Sequence, residues 1–234
     1  EEGVNHASFT FSLTNGKTVD EDIYINYSLD NISAVLGSDY TIDATLLSPL
    51  LIPAGSSSVT LTLTVIDDTT IEGLETVSIT AQTQSNPRNN ITVTNSPQTL
   101  QILDNDEAQL SISNATVTEG NDNTRILEFD VSLDYPTQFP LTVNYYTEDI
   151  SATAGVDYTE VTNGSITFNA MSTTTQKISI TVSGDRIIEA DETLRVRFKD
   201  LVQDFEGRLL LPTSGGLGTI VDNDLAANLI TKED

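Results

Sequence analysis

The stretch Val59-Thr60-Leu61-Thr62-Leu63-Thr64-Val65 alternates apolar and polar residues without interruption. The same alternation returns in the stretch Ile178-Ser179-Ile180-Thr181-Val182-Ser183. A period of two in residues that are mostly β-branched predicts strands with one buried face. Turn residues such as Asn15-Gly16 and Asn163-Gly164 separate such stretches, and no window shows a helical stripe. The pattern therefore predicts an all-β chain that folds as an antiparallel sandwich.

The second half of the chain has the alternation and turn signals of seven strands. Their expected ranges are about 109–117, 125–133, 140–147, 164–168, 176–183, 193–200 and 208–221. The first half begins at residues equivalent to the end of the first of these strands. We therefore expect the first half to lack its opening strand and to leave a sheet edge uncovered.

Acidic residues recur along the chain at an interval of 117 or 118 residues. A fixed interval of this kind indicates a repeated domain. It predicts two units at 1–106 and 107–226, with 227–234 as the start of a further repeat or a tail. Because no Gly-, Ser- or Pro-rich linker separates the two copies, we expect the units to be arranged end to end.

Composition excludes several classes of function. The 234 residues include 35 Asp and Glu against 10 Lys and Arg, which gives a formal charge of −25. Nucleic acids and anionic membrane surfaces require clusters of basic residues, so neither is an expected partner. The chain has no cysteine, which excludes disulfides, structural zinc bound through thiolates and thiol catalysis. The sequence contains no apolar run of 18 residues, so we expect no direct membrane insertion.

The repeated acids are predicted to meet in space. Alternate connections of an antiparallel sandwich lie at the same end, and every acidic segment falls in one of these connections. Carboxylates gathered at one pole repel one another unless a cation lies among them. Ca²⁺ takes about 6–8 oxygen ligands, whereas Mg²⁺ requires a tight octahedron and zinc or copper would require His or Cys. The sequence therefore predicts Ca²⁺ sites, the alternative being acidic turns that are merely solvated.

Two substitutions distinguish the second copy of the acidic pattern from the first. Gly184 occupies the position of Asp67, and Arg186 occupies the position of Thr69. The glycine removes one carboxylate ligand, and the arginine adds a positive charge. We therefore expect fewer ions in the second unit.

Taken together, three motifs resemble those of tandem Calx-β domains. They are an Asp-Tyr after the third strand, an Asp-x-x-x-Glu-x-x-Glu segment and a closing Asp-Asn-Asp, each present twice. The resemblance implies immunoglobulin-like sandwiches that bind Ca²⁺ at a cap of loops. In the first unit it implies as ligands Glu2, Asp39, Asp67, Asp68, Glu72, Glu75, Asp104 and Asp106, with the carbonyl of Thr70. In the second it implies Glu119, Asp157, Asp185, Glu189, Glu192, Asp222 and Asp224, with the carbonyl of Ile187.

The resemblance leaves two functions open. The first is a calcium-binding repeat segment of an extracellular or cell-surface protein, in which Ca²⁺ stiffens the junction between units for adhesion or communication with the matrix. Its expected partners are calcium ions, neighbouring repeats of the same chain and a cell-surface or matrix protein or glycan. The alternative is an intracellular Ca²⁺ sensor that regulates a membrane exchanger or transporter. A Ca²⁺-dependent hydrolase would need a nucleophile and a base that the sequence does not offer, so no enzyme activity is expected.

Overall fold

A computed structural model describes residues 2–3, 6–82, 85–86, 89–90, 92–203 and 205–224. The chain folds into two compact units, Glu1–Asp106 and Glu107–Asp234, called unit 1 and unit 2 below. The expected further repeat or tail at 227–234 lies outside the described residues. Among the described residues, no helix is long and apolar enough to cross a membrane.

Unit 1 is a set of short strands in two main sheets. The strands are β1 (His6–Ser12), β2 (Ile23–Ile25), β3 (Tyr27–Asn31), β4 (Tyr40–Ile42), β5 (Leu50–Ile52), β6 (Ser58–Val65), β7 (Glu75–Ala81), β8 (Ser85–Asn86), β9 (Asn89–Asn90) and β10 (Gln98–Ile102). One sheet has the order β1-β6-β4 and the other β10-β7-β3, while β2 pairs with β5 and β8 with β9. Short 3-10 turns occupy Thr14–Gly16 and Ala44–Leu46.

Unit 2 repeats this plan with longer strands. They are β11 (Ala108–Ile112), β12 (Ala115–Thr118), β13 (Arg125–Leu133), β14 (Leu141–Asp149), β15 (Gly164–Phe168), β16 (Gln176–Val182), β17 (Glu192–Leu201), β18 (Leu209–Leu210) and β19 (Gly216–Val221). The sheets have the orders β16-β13-β11-β18 and β12-β19-β17-β14-β15. The all-β fold predicted from the alternation is confirmed.

The opening strand of unit 2 differs from the single strand expected at 109–117. It breaks into β11, which pairs antiparallel with β13, and β12, which pairs parallel with β19 in the opposite sheet. The segment β18 also pairs parallel with β11. The sandwich is therefore not purely antiparallel, because its opening strand changes sheets partway and pairs with one strand in each sheet.

Alternation places the core between the two sheets of each unit. In β6, Leu61 and Leu63 are fully buried, and in β16 the equivalent Ile178 and Ile180 are fully buried. Burial of such side chains contributes about 1.5–3 kcal/mol each. The intervening Ser and Thr residues face outward or lie at the rim. The acidic residues lie in the loops at one pole of each sandwich.

Candidate metal centre

Twelve of the predicted ligand residues form four clusters, two in each unit. Within each cluster one oxygen from each of three carboxylates lies within 4.8 Å of the others. In unit 1 these are the Glu2 cluster (Glu2, Asp104, Asp106) and the Glu72 cluster (Asp39, Glu72, Glu75). In unit 2 they are the Glu119 cluster (Glu119, Asp222, Asp224) and the Glu189 cluster (Asp157, Glu189, Glu192).

A tight loop positions the aspartate of each Asp-Tyr pair. In unit 2 the Asp157 carboxylate accepts a hydrogen bond from the Thr153 amide at 2.7 Å, and the Asp157 amide donates to the Thr153 carbonyl at 3.0 Å. Gly155 takes a φ of +83° between them, which favours glycine. In unit 1 the Asp39 carboxylate and amide make the same pair of bonds to Val35.

The tyrosine of each Asp-Tyr pair anchors the loop in the core. Tyr40 and Tyr158 are almost completely buried. The Tyr40 hydroxyl donates to Asn31 Oδ1 at 2.6 Å, and the Tyr158 hydroxyl donates to Asp149 Oδ1. Asp39 and Asp157 are the last residues of their turns, and the buried tyrosine follows directly in each. The tyrosine therefore fixes the register that brings its aspartate to the cap.

The first aspartate of each Asp-Asn-Asp ties two acidic segments together. Asp104 Oδ2 accepts from the Glu72 amide at 2.8 Å, while its Oδ1 accepts from the Asp106 amide at 2.9 Å. Asp222 makes the equivalent bonds to the amides of Glu189 at 3.0 Å and Asp224 at 2.8 Å. These bonds lower the pKa of Asp222 below its ordinary value.

Five predicted ligand residues lie outside the four clusters: Asp67, Asp68, Thr70, Asp185 and Ile187. Asp68 and Asp185 are equivalent, and each raises the pKa of glutamates from both clusters of its unit by charge repulsion. Asp68 and Asp185 also accept hydrogen bonds at 2.6 Å from the amides of Thr70 and Ile187. The two aspartates therefore lie near enough to both clusters of their unit for their charges to act on each. For the Thr70 and Ile187 carbonyls, the ligand role stays a prediction.

The position of Asp67 depends on a glycine. Asp67 accepts from Asn105 Nδ2 at 3.4 Å, and a Cβ built on Gly3 would lie 2.7 Å from Asp67 Oδ1. In unit 2 Gly184 stands where unit 1 has Asp67. A Cβ on Gly184 would lie 2.2 Å from the Gly120 carbonyl oxygen, so Gly184 packs against backbone. The path of the chain itself thus leaves no room for a side chain at position 184.

The clusters are poorly neutralised by protein groups. Glu2 is 2% exposed and Glu119 is 5% exposed. Among the described residues, no hydrogen-bond donor reaches Glu2 Oε2 or Glu119 Oε1. A buried carboxylate oxygen without a donor is costly, and an oxygen-only set of this kind fits Ca²⁺. The residues present therefore fit the expected ion.

Burial and repulsion raise the pKa values of the cluster glutamates well above the ordinary 4.5. The pKa reaches about 8 for Glu2 and Glu72, in both cases first through burial. It reaches about 7 for Glu119 and Glu192, where burial again comes first and neighbouring aspartates add to it. Near neutral pH and in the absence of a cation, Glu2 and Glu72 are therefore mostly protonated and Glu119 and Glu192 are partly protonated.

This protonation predicts a pH dependence of the calcium-free protein. A carboxyl whose pKa is raised on folding binds more protons in the folded state than in the unfolded state, so stability falls as pH rises from about 5 to about 8. We expect a higher melting temperature at about pH 5.5 than at about pH 8 in chelator. Calcium binding at about pH 7 should release protons, seen as a dependence of the calorimetric heat on the buffer's ionisation enthalpy. A chelated protein that is equally stable at both pH values would contradict the expectation.

Sequence reasoning missed several residues that hold the cap of unit 2. Asn223 Oδ1 accepts from the Gly120 amide at 2.8 Å, and Asn121 Nδ2 donates to Asp224 Oδ1. The equivalence of Asn105 and Asn223 in the repeat was a usable signal for the first of these. Asp122, which pairs with Arg186, has no acidic counterpart at the equivalent position of unit 1. The repeat therefore gave no signal for this pair.

Arg186 does not act simply as an added cation at the cap. Its Nε donates to Asp122 Oδ1 at 3.0 Å and to Oδ2 at 3.1 Å, and its Nη2 donates to Oδ2. The ion pair is exposed, with 71% of the Arg186 side chain accessible. The Asp122 carboxylate thus offsets much of the positive charge of Arg186. The sequence had indicated that this charge would oppose ion binding.

Replacing Arg186 with Thr, the residue at the equivalent position of unit 1, should therefore change calcium binding only modestly. We expect the affinity of unit 2 to rise by about twofold to fivefold at low salt and less at physiological salt, because exposed charges are screened. Isothermal titration of the wild type and Arg186→Thr at two salt concentrations measures the difference. A gain of a hundredfold would mean that Arg186 blocks the site directly.

Comparison with known proteins identifies the family. The family model of the Calx-beta domain matches residues 1–106 and again 104–224. A search among curated protein sequences gives no match.

Among solved structures, the chain is similar to the crystal structure of the apo-form Calx CBD1 domain, with 22% identity and a TM-score of 0.43 over 51% of this chain and 100% of that one. It is also similar to CBD12 from CALX1.2, with 16% identity and a TM-score of 0.39 over 93% of this chain and 94% of that one.

The assignment follows from the family model, which matches twice and covers nearly the whole chain. Calx-β domains bind Ca²⁺, the ion that the four carboxylate clusters fit. The chain therefore belongs to the Calx-β family, as a tandem of two calcium-binding domains.

Proposed function

We propose that this chain is a calcium-binding repeat segment of a larger extracellular or cell-surface protein. In this role the ions hold the cap of unit 1 and restrict the junction with unit 2, so that the segment is stiff only when calcium is present. Adhesion, or communication between a cell and its matrix, would use a segment whose stiffness depends on calcium. The segment acts by binding and positioning, without catalysis.

The observation that supports this proposal is the continuity between the cap and the next strand. Asp104 and Asp106 belong to the Glu2 cluster, and β11 of unit 2 begins at Ala108. One residue, Glu107, separates the last cluster aspartate from that strand. An ion that fixes the Asp104–Asp106 backbone therefore restricts the segment from which unit 2 starts.

The ligands proposed for the ions are the twelve cluster carboxylates, together with Asp67, Asp68 and Asp185. Each cluster supplies three carboxylates, and bidentate binding or water completes a shell of about 6–8 oxygens. The two carboxylate clusters in each unit, with Asp68 or Asp185 acting by charge on both, support two neighbouring ions in each unit. Bound ions would remove the repulsion that raises the glutamate pKa values.

Small-angle scattering and calorimetry test the proposal together. We expect calcium to narrow the distribution of distances between the units and to bind in the range typical of extracellular modules, about 10⁻⁴–10⁻³ M. Proteolysis of intact cells should cut the protein if this segment is displayed at the surface. Unchanged scattering on addition of saturating calcium would refute the stiffening role even if calcium binds.

The intracellular sensor is a second candidate, favoured by the difference between the units. The Glu72 cluster is buried throughout, whereas Glu189 in the equivalent cluster of unit 2 is exposed. One tight and one weak unit would suit a graded response to calcium. Dissociation constants of about 10⁻⁷–10⁻⁵ M for unit 1 would support this candidate over the extracellular one.

A further inference from the structure

A polar pocket of about 640 Å³ lies beside the cap of unit 2. Its walls come from the segment between Glu119 and β13, together with Arg186 and Asn223. The volume falls within the range of about 300–1,000 Å³ that is typical of small-molecule sites. The lining side chains are amides, a hydroxyl, one carboxylate and two guanidinium groups. The pocket therefore suits a polar ligand and offers no place for an apolar one.

The segment that forms most of this pocket is longer in unit 2 than in unit 1. Phe9 on β1 and Phe129 on β13 are equivalent, because they pair with equivalent residues of β6 and β16. The two copies are 117 residues apart at Glu2 and Glu119 but 120 residues apart at Phe9 and Phe129. Unit 2 therefore has three more residues between its cap glutamate and this strand. Unit 1 forms the same fold without them, so the fold does not require the longer loop.

Three charged residues that unit 1 lacks meet in the pocket. Asp122 lies in the lengthened segment, and Arg186 stands where unit 1 has Thr69. Arg125 stands at the position of Asn5 when β1 and β13 are aligned. The Asp122 carboxylate holds the Arg186 guanidinium through three hydrogen bonds. This ion pair ties the longer loop to the segment after β16, and it leaves the charge of Arg125 unexplained.

The Arg125 side chain is available to a ligand. The residue is exposed, and among the described residues its guanidinium makes no hydrogen bond or ion pair. It lies across Gly120, where a built Cβ would come within 3.2 Å of Arg125 Nε. The side-chain amide of Asn123 also has no hydrogen-bond partner within the described part of the chain. A guanidinium presents a fork of donors that matches a carboxylate, and an amide offers a donor and an acceptor to a hydroxyl group.

We infer that this pocket binds an acidic sugar, with the sugar carboxylate on Arg125 and a sugar hydroxyl on Asn123. A protein surface is a poorer fit, because the lining has no apolar or aromatic anchor of the kind found at the centre of protein interfaces. The inference deepens the proposed function and rests on it for its biological role, since it names a glycan that contains uronic acid as the partner. Binding of the sugar does not depend on whether calcium stiffens the junction.

Calcium and the sugar should not compete. Asn121 on the pocket wall donates a hydrogen bond to Asp224 of the Glu119 cluster, so the pocket and this cluster are neighbours. The carboxylates of an empty cluster would repel an anionic ligand, and a bound cation would remove this repulsion. Saturating calcium is therefore the appropriate condition for measuring sugar binding.

A titration of the whole 234-residue protein, followed by nuclear magnetic resonance in saturating calcium, tests the inference. The ligand used is methyl glucuronoside, and the matched control is methyl glucoside, in which a hydroxymethyl group replaces the carboxylate. We expect saturable shifts of the Gly120 and Asn123 amides and of Arg125 Nε. The affinity should be about tenfold higher for the glucuronoside, because only this sugar makes charge-assisted hydrogen bonds to the guanidinium.

Variants of exposed residues locate the binding groups. Arg125→Gln should lower the affinity for the glucuronoside about tenfold, and Asn123→Ala about threefold. Both residues are exposed, so unit 2 should remain folded. Lys199→Gln is the control for charge, because it removes an exposed cation of unit 2 that lies outside the pocket. This variant should bind the glucuronoside as the wild type does.

Four results would overturn the inference. Absence of any saturable shift would show that the pocket does not admit a sugar. Equal affinity for the two sugars would show that Arg125 does not bind the carboxylate. Equal losses in Arg125→Gln and Lys199→Gln would show an effect of net charge alone. Equally tight binding of N-acetylglutamate amide, with the same shifts, would show that the pocket takes acidic side chains of a protein. Unchanged scattering with calcium would refute the stiffening role and leave this site in place.

Discussion

Replacing both Glu72 and Glu75 with Gln is expected to remove most calcium binding by unit 1. The two glutamates supply two of the three carboxylates of the Glu72 cluster and are 7% and 2% exposed. A buried amide keeps the shape of the side chain but loses the negative charge that a divalent ion requires. The stabilisation by calcium, about 2.7 kcal/mol at a hundredfold excess over the dissociation constant, should fall accordingly.

The same variant should be more stable than the wild type in chelator. Burial raises the pKa of Glu72 to about 8, and repulsion from Glu75 adds to it, so the ionised pair opposes folding as pH rises. Gln at both positions removes that cost. Differential scanning calorimetry with calcium and with chelator should therefore show a higher melting temperature in chelator and a much smaller increase with calcium.

Two matched double variants distinguish the loss of the Glu72 cluster from a loss of net charge. Glu189→Gln with Glu192→Gln makes the same change in the equivalent cluster of unit 2 and should leave unit 1 able to bind. Asp20→Asn with Asp30→Asn removes two exposed charges of unit 1 outside the clusters and should leave the calorimetric titration unchanged. If this last variant lost as much calcium affinity as the Glu72 and Glu75 variant, net charge and not the cluster would account for binding.

Replacing Gly184 with Asp is expected to destabilise unit 2 without adding a calcium ligand. A Cβ at this position would lie 2.2 Å from the Gly120 carbonyl oxygen and 2.9 Å from the Asn123 carbonyl oxygen. Both are backbone atoms, which cannot turn aside as the end of a long side chain can. Overpacking of this kind costs about 3 kcal/mol. Hydrogen exchange in urea should show lower protection of β16 and β17, with β6 and β7 unchanged.

Gly184→Ala is the control for that expectation, since it adds the Cβ without the charge and should destabilise unit 2 to a similar extent. The reverse change, Asp67→Gly in unit 1, should leave the fold intact, because Asp67 is exposed, and should weaken calcium binding. A folded Gly184→Asp protein that binds more calcium than the wild type would show that the backbone can move to admit a ligand.

The strands could be predicted from the sequence because one face of each strand is buried. Leu61 and Leu63 alternate with threonines, and a period of two has only one arrangement that buries all the apolar residues. The expected ranges of the second unit agree closely with β13, β15 and β16. The acidic clusters were accessible for a second reason, since the repeat keeps twelve carboxylates in register without any need to know their neighbours.

The break between β11 and β12 was not accessible from sequence. Residues 108–118 alternate well enough to read as one strand, and the exchange of partners depends on β13 and β19 lying in opposite sheets. The pairing of Arg186 with Asp122 was equally hidden, because the two residues are 64 positions apart and Asp122 has no acidic counterpart in the repeat. Both features depend on which segments the fold brings together.

The sequence by itself determined that this protein is an all-β tandem with two acidic caps, because periodicity and repetition are properties of residue order alone. Only the tertiary structure decided that each cap divides into two carboxylate clusters, that Gly184 has no space for a side chain, and that Arg186 pairs with Asp122. The physical reason is that these features depend on distances between loops and strands far apart in the chain, which become fixed only when the two sheets pack face to face.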